Sequence, residues 1–528
     1  MRSILVSLVA FGVGLSAQAP QASYDVLILN GRLYEGSGNP WRRADVAIRG
    51  DRIVAVGRLG GATATTIIDA KDRVVAPGFI DVHSHALSNI TNAALREARA
   101  LIAQGVTTVV GNPDGGGPTD LKQQATSLEA DGGIGVNAAL LIGHGSVRSA
   151  AMRPGAAGAG AVGEAGDRRD PTPEELSRMR TLVRQAVADG AFGLSSGLFY
   201  VPGRYAKTEE VVALAKEAGG VYTSHIRDEG NYDAGVVASV DEVITVATSA
   251  GVRGIVTHMK ALGPDSWGLG ATLVSHIEAA RARGVEVYAD QYPYEASSTG
   301  LAAAVMPGES GTGAQEALAG AESRATFLAT VRENIRRRGG PASIVMASGR
   351  GVANLAGKNL EEIARSRGVS PEQAATDIVI AGGASIVSFN MSDKDIETIM
   401  RQPWTMGSSD GGLSVPGPSV PHPRNNGAFA RRLAVYVRER QVISLDHAIR
   451  TMTSLPAQVF GLSGRGEIRE GAFADVVVFD LARVVDRATY QQPHELADGM
   501  DWVVVNGQIA RRDGAFTGTR AGRVLKKQ

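Results

Sequence analysis

The most informative stretch of the chain is Ala76-Pro-Gly-Phe-Ile-Asp-Val-His-Ser-His85. It opens with a Pro-Gly turn and continues as a short apolar strand that ends in two histidines. Side chains at i and i+2 of a strand point to the same face, so His83 and His85 should project together from the strand end. Two neutral imidazoles on one face supply the first half of a zinc-type site. A surface pair of histidines is the alternative.

The middle of the chain repeats this strand signal, with helical patterns in between. Apolar strands precede His225 and His258, which lie 33 residues apart, about the length of one β/α unit. Such alternation predicts a parallel sheet, most economically a (β/α)8 TIM-like barrel. From Tyr292 to Asp410 there are 118 residues, too many for one unit. This interval therefore predicts an insertion at about 302–383.

Both ends of the chain show a different pattern, short strands joined by tight turns. Examples are Asp25-Val-Leu-Ile-Leu29 and Ala474-Asp-Val-Val-Val-Phe479. Neither end is long enough to bury a core alone, so we expect 24–76 and 465–528 to form one composite β-sandwich. Residues 77–464 then form the barrel. The predicted class is α/β, a barrel with a small sandwich.

Composition excludes several kinds of partner. The chain has 528 residues, with Lys plus Arg and Asp plus Glu at 54 each. This balance gives no electrostatic reason for binding nucleic acid or an anionic membrane surface. Cysteine is absent, which leaves nitrogen and oxygen ligands for any metal. The expected partner is a small-molecule substrate, and the sequence predicts no oligomeric state.

The N-terminus predicts export. Arg2 precedes an apolar run at 4–15, and small residues follow at 16–19, which is the layout of a secretory signal peptide. The run is too short for a stable membrane anchor. We expect residues 1–19 to be removed and the mature protein to be periplasmic or secreted. An apolar N-terminal strand is the alternative.

Three further residues complete a candidate metal site. His225 and His258 each end a predicted strand, where barrel enzymes place their chemistry. Asp410 closes the last predicted barrel strand. A carboxylate beside a metal can accept the proton of the attacking water and pass it to a leaving amine, so Asp410 is the candidate catalytic residue. Buried structural histidines and a turn aspartate are the alternatives.

With these residues in place, the chain resembles the amidohydrolase superfamily and, within it, the N-acyl-D-amino-acid deacylase (D-aminoacylase) family. The resemblance spans about residues 24–515 and implies hydrolysis of an N-acyl-D-amino acid to a carboxylate and a free D-amino acid. The motifs that narrow it are Leu141-Ile-Gly-His-Gly-Ser-Val-Arg148, Gly193-Leu-Ser-Ser-Gly-Leu-Phe-Tyr200, Thr223-Ser-His-Ile-Arg-Asp-Glu229, Asp290-Gln-Tyr-Pro-Tyr294 and His422-Pro-Arg424.

The resemblance also implies roles for individual residues. The implied metal ligands form two positions, the first with His83, His85 and Asp410 and the second with His225 and His258. The implied substrate-binding residues are Lys260, Tyr292 and a serine of Ser297-Ser298, which would hold the α-carboxylate, with Arg227 near that site. His144 is a further candidate for lining the site, and a structural histidine is the alternative.

One departure from the family concerns the metal. Family members place a cysteine after the second strand, where this chain has Pro113 or Asp114. The related alternative, a carboxylated lysine after the fourth strand, is also missing, because Leu194-Ser195-Ser196-Gly197 has no lysine. Either Asp114 is an oxygen ligand or the site uses one metal. The implied cofactor is one or two Zn2+ ions, and a site of nitrogen and oxygen donors also admits other divalent transition metals.

The substrate side chain is predicted to be neutral or apolar. Family members that act on acidic D-amino acids carry an arginine shortly after the Tyr-Pro-Tyr segment, and Gly300-Leu-Ala-Ala-Ala-Val-Met-Pro307 has none. Two other functions remain open, an amidohydrolase for a cyclic amide or dipeptide and a non-catalytic binding protein on the same barrel. The missing lysine argues against the first, and the complete set of four histidines with Asp410 against the second.

Overall fold

A computed structural model describes residues 23–153, 169–309 and 311–527. The predicted signal peptide lies outside the described residues. Within these ranges, no helix combines the length and apolar character needed to cross a membrane. The chain begins with seven short strands, β1 (Ser23–Leu29), β2 (Arg32–Leu33), β3 (Arg42–Arg43), β4 (Asp45–Arg49), β5 (Arg52–Gly57), β6 (Thr63–Asp69) and β7 (Val74–Pro77).

The next segment alternates strands with helices. Its strands are β8 (Phe79–Asp81), β9 (Val106–Gly111), β10 (Asn137–Leu140), β11 (Ile142–Gly143), β12 (Gly193–Gly197), β13 (Val221–His225), β14 (Arg253–Val256) and β15 (Val287–Gln291). Its helices are α1 (Arg99–Ile102), α2 (Leu121–Glu129), α3 (His144–Met152), α4 (Pro173–Ala188), α5 (Thr208–Ala218), α6 (Val236–Ala250) and α7 (Gly270–Ala282). Buried helix faces cover the strands, as a parallel sheet requires.

An inserted segment follows β15. It consists of β16 (Ala296–Gly300), α8 (Leu301–Val305), α9 (Gly311–Ala319), α10 (Ala321–Arg337), β17 (Ile344–Gly349), α11 (Leu360–Arg367), α12 (Pro371–Ile380) and β18 (Ala384–Phe389). The three strands form an antiparallel sheet in the order β16-β18-β17, and the helices pack on it around an apolar cluster of their own. The insertion predicted at about 302–383 therefore extends a few residues further at each end, because its outer strands pair with each other.

The chain then returns to the barrel and ends in short strands. The last helices and strands are α13 (Asp393–Met400), β19 (Thr405–Gly407), α14 (Arg424–Arg431) with a π-helical continuation (Arg432–Glu439), α15 (Leu445–Met452), α16 (Ser454–Phe460), β20 (Val476–Phe479), β21 (Met500–Val505), β22 (Gln508–Arg512), β23 (Ala515–Phe516) and β24 (Val524–Leu525).

Eight parallel strands close into a barrel, which confirms the predicted fold. The order is β8, β9, β10 with β11, β12, β13, β14, β15 and β19, where β10 and β11 are one strand interrupted at Leu141. A parallel bridge between Ser84 and Gly411 joins the last strand to the first. All carboxyl ends therefore meet at one mouth, where barrel enzymes build their active sites.

The two chain ends form the predicted composite sandwich. One sheet has the order β5-β4-β1-β6, and the other combines both ends as β23-β22-β21-β20-β7-β2-β3. Apolar side chains from both sheets, such as Ile28 and Val476, share one buried cluster. One assignment is corrected: β24, predicted in the sandwich, pairs parallel with β10 at the barrel.

A buried polar network fixes the sandwich to the barrel. The carboxylate of Asp475, which immediately precedes β20, contacts Arg465, accepts from the backbone N–H of Asn506 at 2.8 Å, and accepts from Asn137 on β10 at 3.3 Å. Asn506 in turn donates to Asn137 at 2.7 Å. Because buried polar groups need partners, these mutual bonds hold the two layers in one relative position.

Candidate metal centre

The two histidines of the opening stretch lie at the barrel mouth. His83 and His85 leave the end of β8, and their ring centres are 5.5 Å apart. His83 is almost fully buried, whereas the His85 side chain is 38% exposed and faces the cavity. Nε2 of each ring points toward Oδ1 of Asp410, at 3.5 Å from His83 and 3.2 Å from His85. The i, i+2 geometry predicted from the sequence is confirmed.

Asp410 is held in place by the first barrel strand. It follows β19, has a left-handed backbone with φ of 48°, and its N–H donates to the carbonyl of His83 at 2.9 Å. Its Oδ2 lies 2.8 Å from Nη1 of Arg424. Burial alone would raise the pKa of this carboxyl, but the charges of Arg424 and His258 hold it well below its usual range. Asp410 is therefore ionised at the barrel mouth.

Asp114 lies between the two groups of histidines. Its Oδ1 is 3.4 Å from Nε2 of His83, 3.9 Å from Nδ1 of His225 and 3.7 Å from Nε2 of His258, and its Oδ2 is 3.3 Å from His85. The residue has a φ of 55°, in a loop that a turn former suits. The structure thus places Asp114, rather than Pro113, where one carboxylate reaches both donor groups.

Close backbone packing positions the Asp114 loop. A Cβ at Gly197, on β12, would clash with the carbonyl oxygen of Asp114, and Gly115 has a φ of +73°. The Oγ of Ser195 donates to the carbonyl of Asn112 at 2.6 Å and accepts from the N–H of Gly115 at 3.2 Å. Ser195 and Gly197 of β12 therefore hold this loop in place, and the strand presents no lysine.

The second histidine pair completes the cluster. His225 is the last residue of β13, and His258 lies two residues beyond the end of β14. The two ring centres are 4.5 Å apart, and the ring centre of His258 lies 4.8 Å from that of His83. Burial lowers the pKa of His225 to about 4, which keeps this imidazole neutral and able to ligate. His258 has a φ of 37°, so a third residue of the site adopts a conformation that is uncommon outside glycine.

Donor chemistry and burial fit a divalent metal. Two sets of potential ligand atoms each lie within 4.8 Å of one another, and both include Asp114. The first set is His83, His85, Asp114 and Asp410, and the second is Asp114, His225 and His258. His83 Nε2, Asp114 Oδ1 and His225 Nδ1 are buried without a hydrogen-bond partner among the described residues. Unpaired buried imidazole and carboxylate atoms that converge in this way are suited to a zinc-type ion.

Glu229 is a functional residue that the sequence analysis did not single out. Its Oε1 lies 2.9 Å from Nδ1 of His258 and its Oε2 lies 3.8 Å from Nε2 of His225, on the ring atoms that face away from Asp114. It also pairs with Lys260. A carboxylate behind a ligating histidine orients the ring. Glu229 is the last residue of the Thr223–Glu229 motif, and its place in that motif is the sequence feature that could have identified it.

A cavity of about 720 Å3 opens onto the donor sets. Its lining includes the predicted α-carboxylate clamp, namely Lys260, Tyr292, Ser297 and Ser298. Lys260 Nζ lies 5.6 Å from the ring centre of Tyr292, and Arg424 lies over the same ring at 4.7 Å. Arg424 was not assigned a role from the sequence, although it belongs to the His422-Pro-Arg424 motif. Its Nε is buried without a hydrogen-bond partner among the described residues. Two cations beside one phenol ring form a site for an anion.

The two serines lie on the cavity wall as predicted. Ser297 and Ser298 belong to β16 and line the cavity. Ser297 is buried and donates to Asn390 at 3.1 Å, whereas Ser298 is partly exposed. The two serines therefore lie on opposite faces of the strand, and the hydroxyl of Ser298 is the more exposed of the two.

One predicted substrate contact, Arg227, is corrected, and for His144 the structural alternative holds. Arg227 pairs with Glu242 at 2.8 Å and is absent from the cavity wall, because its side chain turns toward helix α6. His144 is buried beside Glu210 at 2.9 Å, also away from the cavity lining. Glu210 is shared with Arg148, so His144 belongs to a buried structural network.

The barrel and the site define a class. A closed (β/α)8 barrel whose strand ends bring together four histidines and two carboxylates is a metal-dependent hydrolase of the amidohydrolase type.

Comparison with known proteins gives the family. The pattern of the Amidohydrolase family matches residues 66–511. D-aminoacylase of Alcaligenes xylosoxydans xylosoxydans is 35% identical over 97% of this chain and 99% of its own length. N-acyl-D-glutamate deacylase of the same organism is also 35% identical, over 96% and 97%. The chain therefore belongs to the amidohydrolase family, within its D-aminoacylase branch.

Solved structures agree. A crystal structure of D-aminoacylase has a TM-score of 0.80 at 33% identity and covers 96% of this chain and 100% of its own. N-acyl-D-glutamate deacylase from Bordetella bronchiseptica, solved with zinc and a phosphonate mimic of the tetrahedral intermediate, has a TM-score of 0.79 at 32% identity with the same coverage. A D-hydantoinase at 15% identity and a TM-score of 0.58 shares the fold.

Proposed function

We propose that the protein is a metal-dependent deacylase that hydrolyses the amide of N-acyl-D-amino acids. The observation that carries the proposal is one cavity with two overlapping donor sets on one wall and the cations Lys260 and Arg424 nearby. A metal centre beside an anion site suits a substrate with both an amide and a free carboxylate. The names of the full-length relatives support the same substrate class.

The clamp residues favour a linear substrate with an α-carboxylate. Lys260, Arg424 and the hydroxyl of Ser298 offer charged and neutral donors on the cavity wall. Tyr292 is buried and lies beside both cations, and its hydroxyl lies 3.5 Å from the sulfur of Met391. We infer that these groups fix the α-carboxylate, so that the amide lies toward Asp410. Such positioning can supply much of the rate enhancement.

The mechanism follows from the residues that surround the amide. The two donor sets would hold the metal, which when bound polarises the amide carbonyl and activates the attacking water. Asp410, ionised beside Arg424, accepts a proton from that water as the new C–O bond forms. It then donates the proton to the leaving nitrogen, and the C–N bond breaks. The products are a carboxylate and a free D-amino acid.

A stereochemical assay tests this function. We expect the purified protein to hydrolyse N-acetyl-D-methionine with a kcat/KM at least about 100 times that for the L isomer, because the clamp and the donor sets fix three points of the substrate. Treatment with a chelator should abolish turnover, and added zinc should restore it. Release of free methionine, followed by chromatography, measures both effects.

Two results would contradict the proposal. Equal rates on the D and L isomers would contradict the proposed specificity for D-amino acids. Activity that survives complete removal of the metal would contradict the proposed metal dependence. Bound metal without turnover of any N-acyl-D-amino acid would favour a binding protein on the same barrel. A heat-treated sample of the same preparation controls for spontaneous hydrolysis.

We also propose that the protein is exported. The support is the charged, apolar and small-residue order of residues 1–19. Expressed in a Gram-negative host, the full chain should appear in the periplasmic fraction with a mass that lacks an N-terminal peptide of roughly this length. A matched variant lacking residues 2–19 should stay in the cytoplasm. Recovery of the full-length mass from the cytoplasm would contradict export.

A further inference from the structure

A third cation, Arg338, lies on the cavity wall and comes from the inserted segment. It directly follows helix α10 and is 2% exposed. Its nitrogens donate to three hydroxyls, Ser388 at 3.3 Å, Tyr232 at 2.9 Å and Ser297 at 3.2 Å. All three partners are neutral. Among the described residues, no carboxylate oxygen lies within 4 Å of this guanidinium.

The other cavity cations each have a carboxylate partner within the protein. Lys260 pairs with Glu229, and Arg424 pairs with Asp410 at 2.8 Å. Arg338 therefore carries the charge on this wall that the protein leaves without a counter-ion. A buried guanidinium keeps its charge, and an unpaired buried charge is unfavourable unless a ligand supplies the opposite one. The position of Arg338 on a substrate cavity indicates that the ligand is anionic.

Arg338 is separate from the α-carboxylate clamp. Its hydrogen-bond partners come from the Tyr232 loop, β16 and β18, and they include none of Lys260, Tyr292 and Arg424. The hydroxyl of Thr299, two residues beyond Ser297 on the same face of β16, also lines the cavity. Hydroxyls and a guanidinium bind a carboxylate well and offer little to an apolar side chain.

The segment that supported a neutral side chain lies elsewhere. Residues 301–305 form helix α8, and Leu301, Ala304 and Val305 are buried in the apolar cluster of the insertion. These residues do not line the cavity. The lack of an arginine at 300–307 therefore says nothing about charge at the cavity wall, whereas Arg338 arrives there from the far end of helix α10.

We propose that Arg338 binds a second carboxylate of the substrate, that of an acidic D-amino acid side chain. The proposal rests on the deacylase function above and names its substrate class. N-acyl-D-glutamate and N-acyl-D-aspartate carry two carboxylates, one for the clamp of Lys260 and Arg424 and one for Arg338. The prediction of a neutral or apolar side chain and this proposal give opposite results in the same assay.

The matched substrates N-acetyl-D-glutamate and N-acetyl-D-glutamine test the proposal. They have the same shape and differ in one group, a carboxylate against an amide. We expect the unmodified protein to prefer the glutamate by at least about 50-fold in kcat/KM, the effect of a charged hydrogen-bonded pair. In Arg338→Gln this ratio should fall to within about threefold of one, mainly through a higher KM for the glutamate.

Two further variants separate binding from a structural role. Arg338→Lys keeps the charge and should retain a preference for the glutamate. Arg336→Gln, on the exposed face of the same helix, should leave the ratio unchanged. If Arg338→Gln fails to fold, the unmodified protein still tests the proposal. Its ratio of kcat/KM for the glutamate and glutamine substrates should be high, and free D-glutamate should inhibit it more strongly than free D-glutamine.

Several outcomes would overturn the proposal. They are an unmodified protein that hydrolyses both substrates equally, or prefers the glutamine, and an Arg338→Gln variant that loses both activities in proportion. The last result would assign Arg338 to the fold or to the α-carboxylate. Absence of turnover on every N-acyl-D-amino acid would instead overturn the deacylase function, so the two failures are distinct.

Discussion

Replacing Asp410 with Asn should lower kcat by at least about 1,000-fold on the best N-acyl-D-amino acid. The amide of Asn keeps the shape of the side chain but cannot accept the proton of the attacking water. The backbone N–H of residue 410 still donates to His83, so the barrel should stay closed. Steady-state kinetics and a thermal melt of the variant measure both expectations.

A matched carboxylate distinguishes proton transfer from a general loss of charge. Asp486 is partly buried and also lies against an arginine, with Oδ2 at 3.3 Å from Arg431, and it is absent from the cavity lining. Asp486→Asn should therefore keep activity within about threefold. Excess zinc should not rescue Asp410→Asn. Rescue by zinc, or more than a tenth of the original activity, would show that Asp410 serves in metal binding alone.

The barrel was predictable because its signals are local. Strand-end histidines recur at the spacing of one β/α unit, and a parallel sheet brings every strand end to one mouth. His83, His85, His225, His258 and Asp410 could therefore be grouped from the sequence. The sandwich followed from the similar patterns of the two ends. The pairing of β24 with β10 was not predictable, because two residues of strand carry too little pattern.

Residues whose roles depend on packing between distant segments were missed or misplaced. Arg338 follows β15 by almost fifty residues and reaches the cavity because β16 and β18 pair with each other. Glu229 and Arg424 lie within the quoted motifs, but their partners are known only once the strands are arranged in space. Arg227 follows a ligand histidine by two residues, yet Glu242 on helix α6 draws it away from the cavity.

Asp114 shows how one turn residue can change the chemistry of the centre. In the family that the sequence resembles, a cysteine occupies this position, whereas here a carboxylate reaches both donor sets. A carboxylate has two oxygens and less preference for soft metals than a thiolate. We therefore expect the all-nitrogen and oxygen centre to bind zinc less selectively, and to accept Mn2+ or Co2+ in its place.

Replacing Asp114 with Ala should cost the protein one equivalent of bound metal and weaken the binding of zinc by at least about 100-fold. The second donor set would keep two histidines, His225 and His258, and would lose its anionic member. Elemental analysis of the dialysed protein, together with a zinc titration of chelator-treated samples, measures the loss without reference to activity. Asp120→Ala is the control, since Asp120 caps helix α2 in the same loop and belongs to neither donor set.

A cysteine at this position gives the sharper test. Asp114→Cys, loaded with Co2+, should show an intense sulfur-to-metal charge-transfer absorption that the unmodified protein and Ser146→Cys lack, because a thiolate absorbs in this way when it ligates the ion directly. The backbone N–H of Ser146 donates to the carbonyl of Gly115, next to Asp114, and the Ser146 side chain is buried outside both donor sets. Unchanged metal content in Asp114→Ala, together with no such absorption in Asp114→Cys, would show that Asp114 forms the turn and that four histidines and Asp410 hold the metal without it.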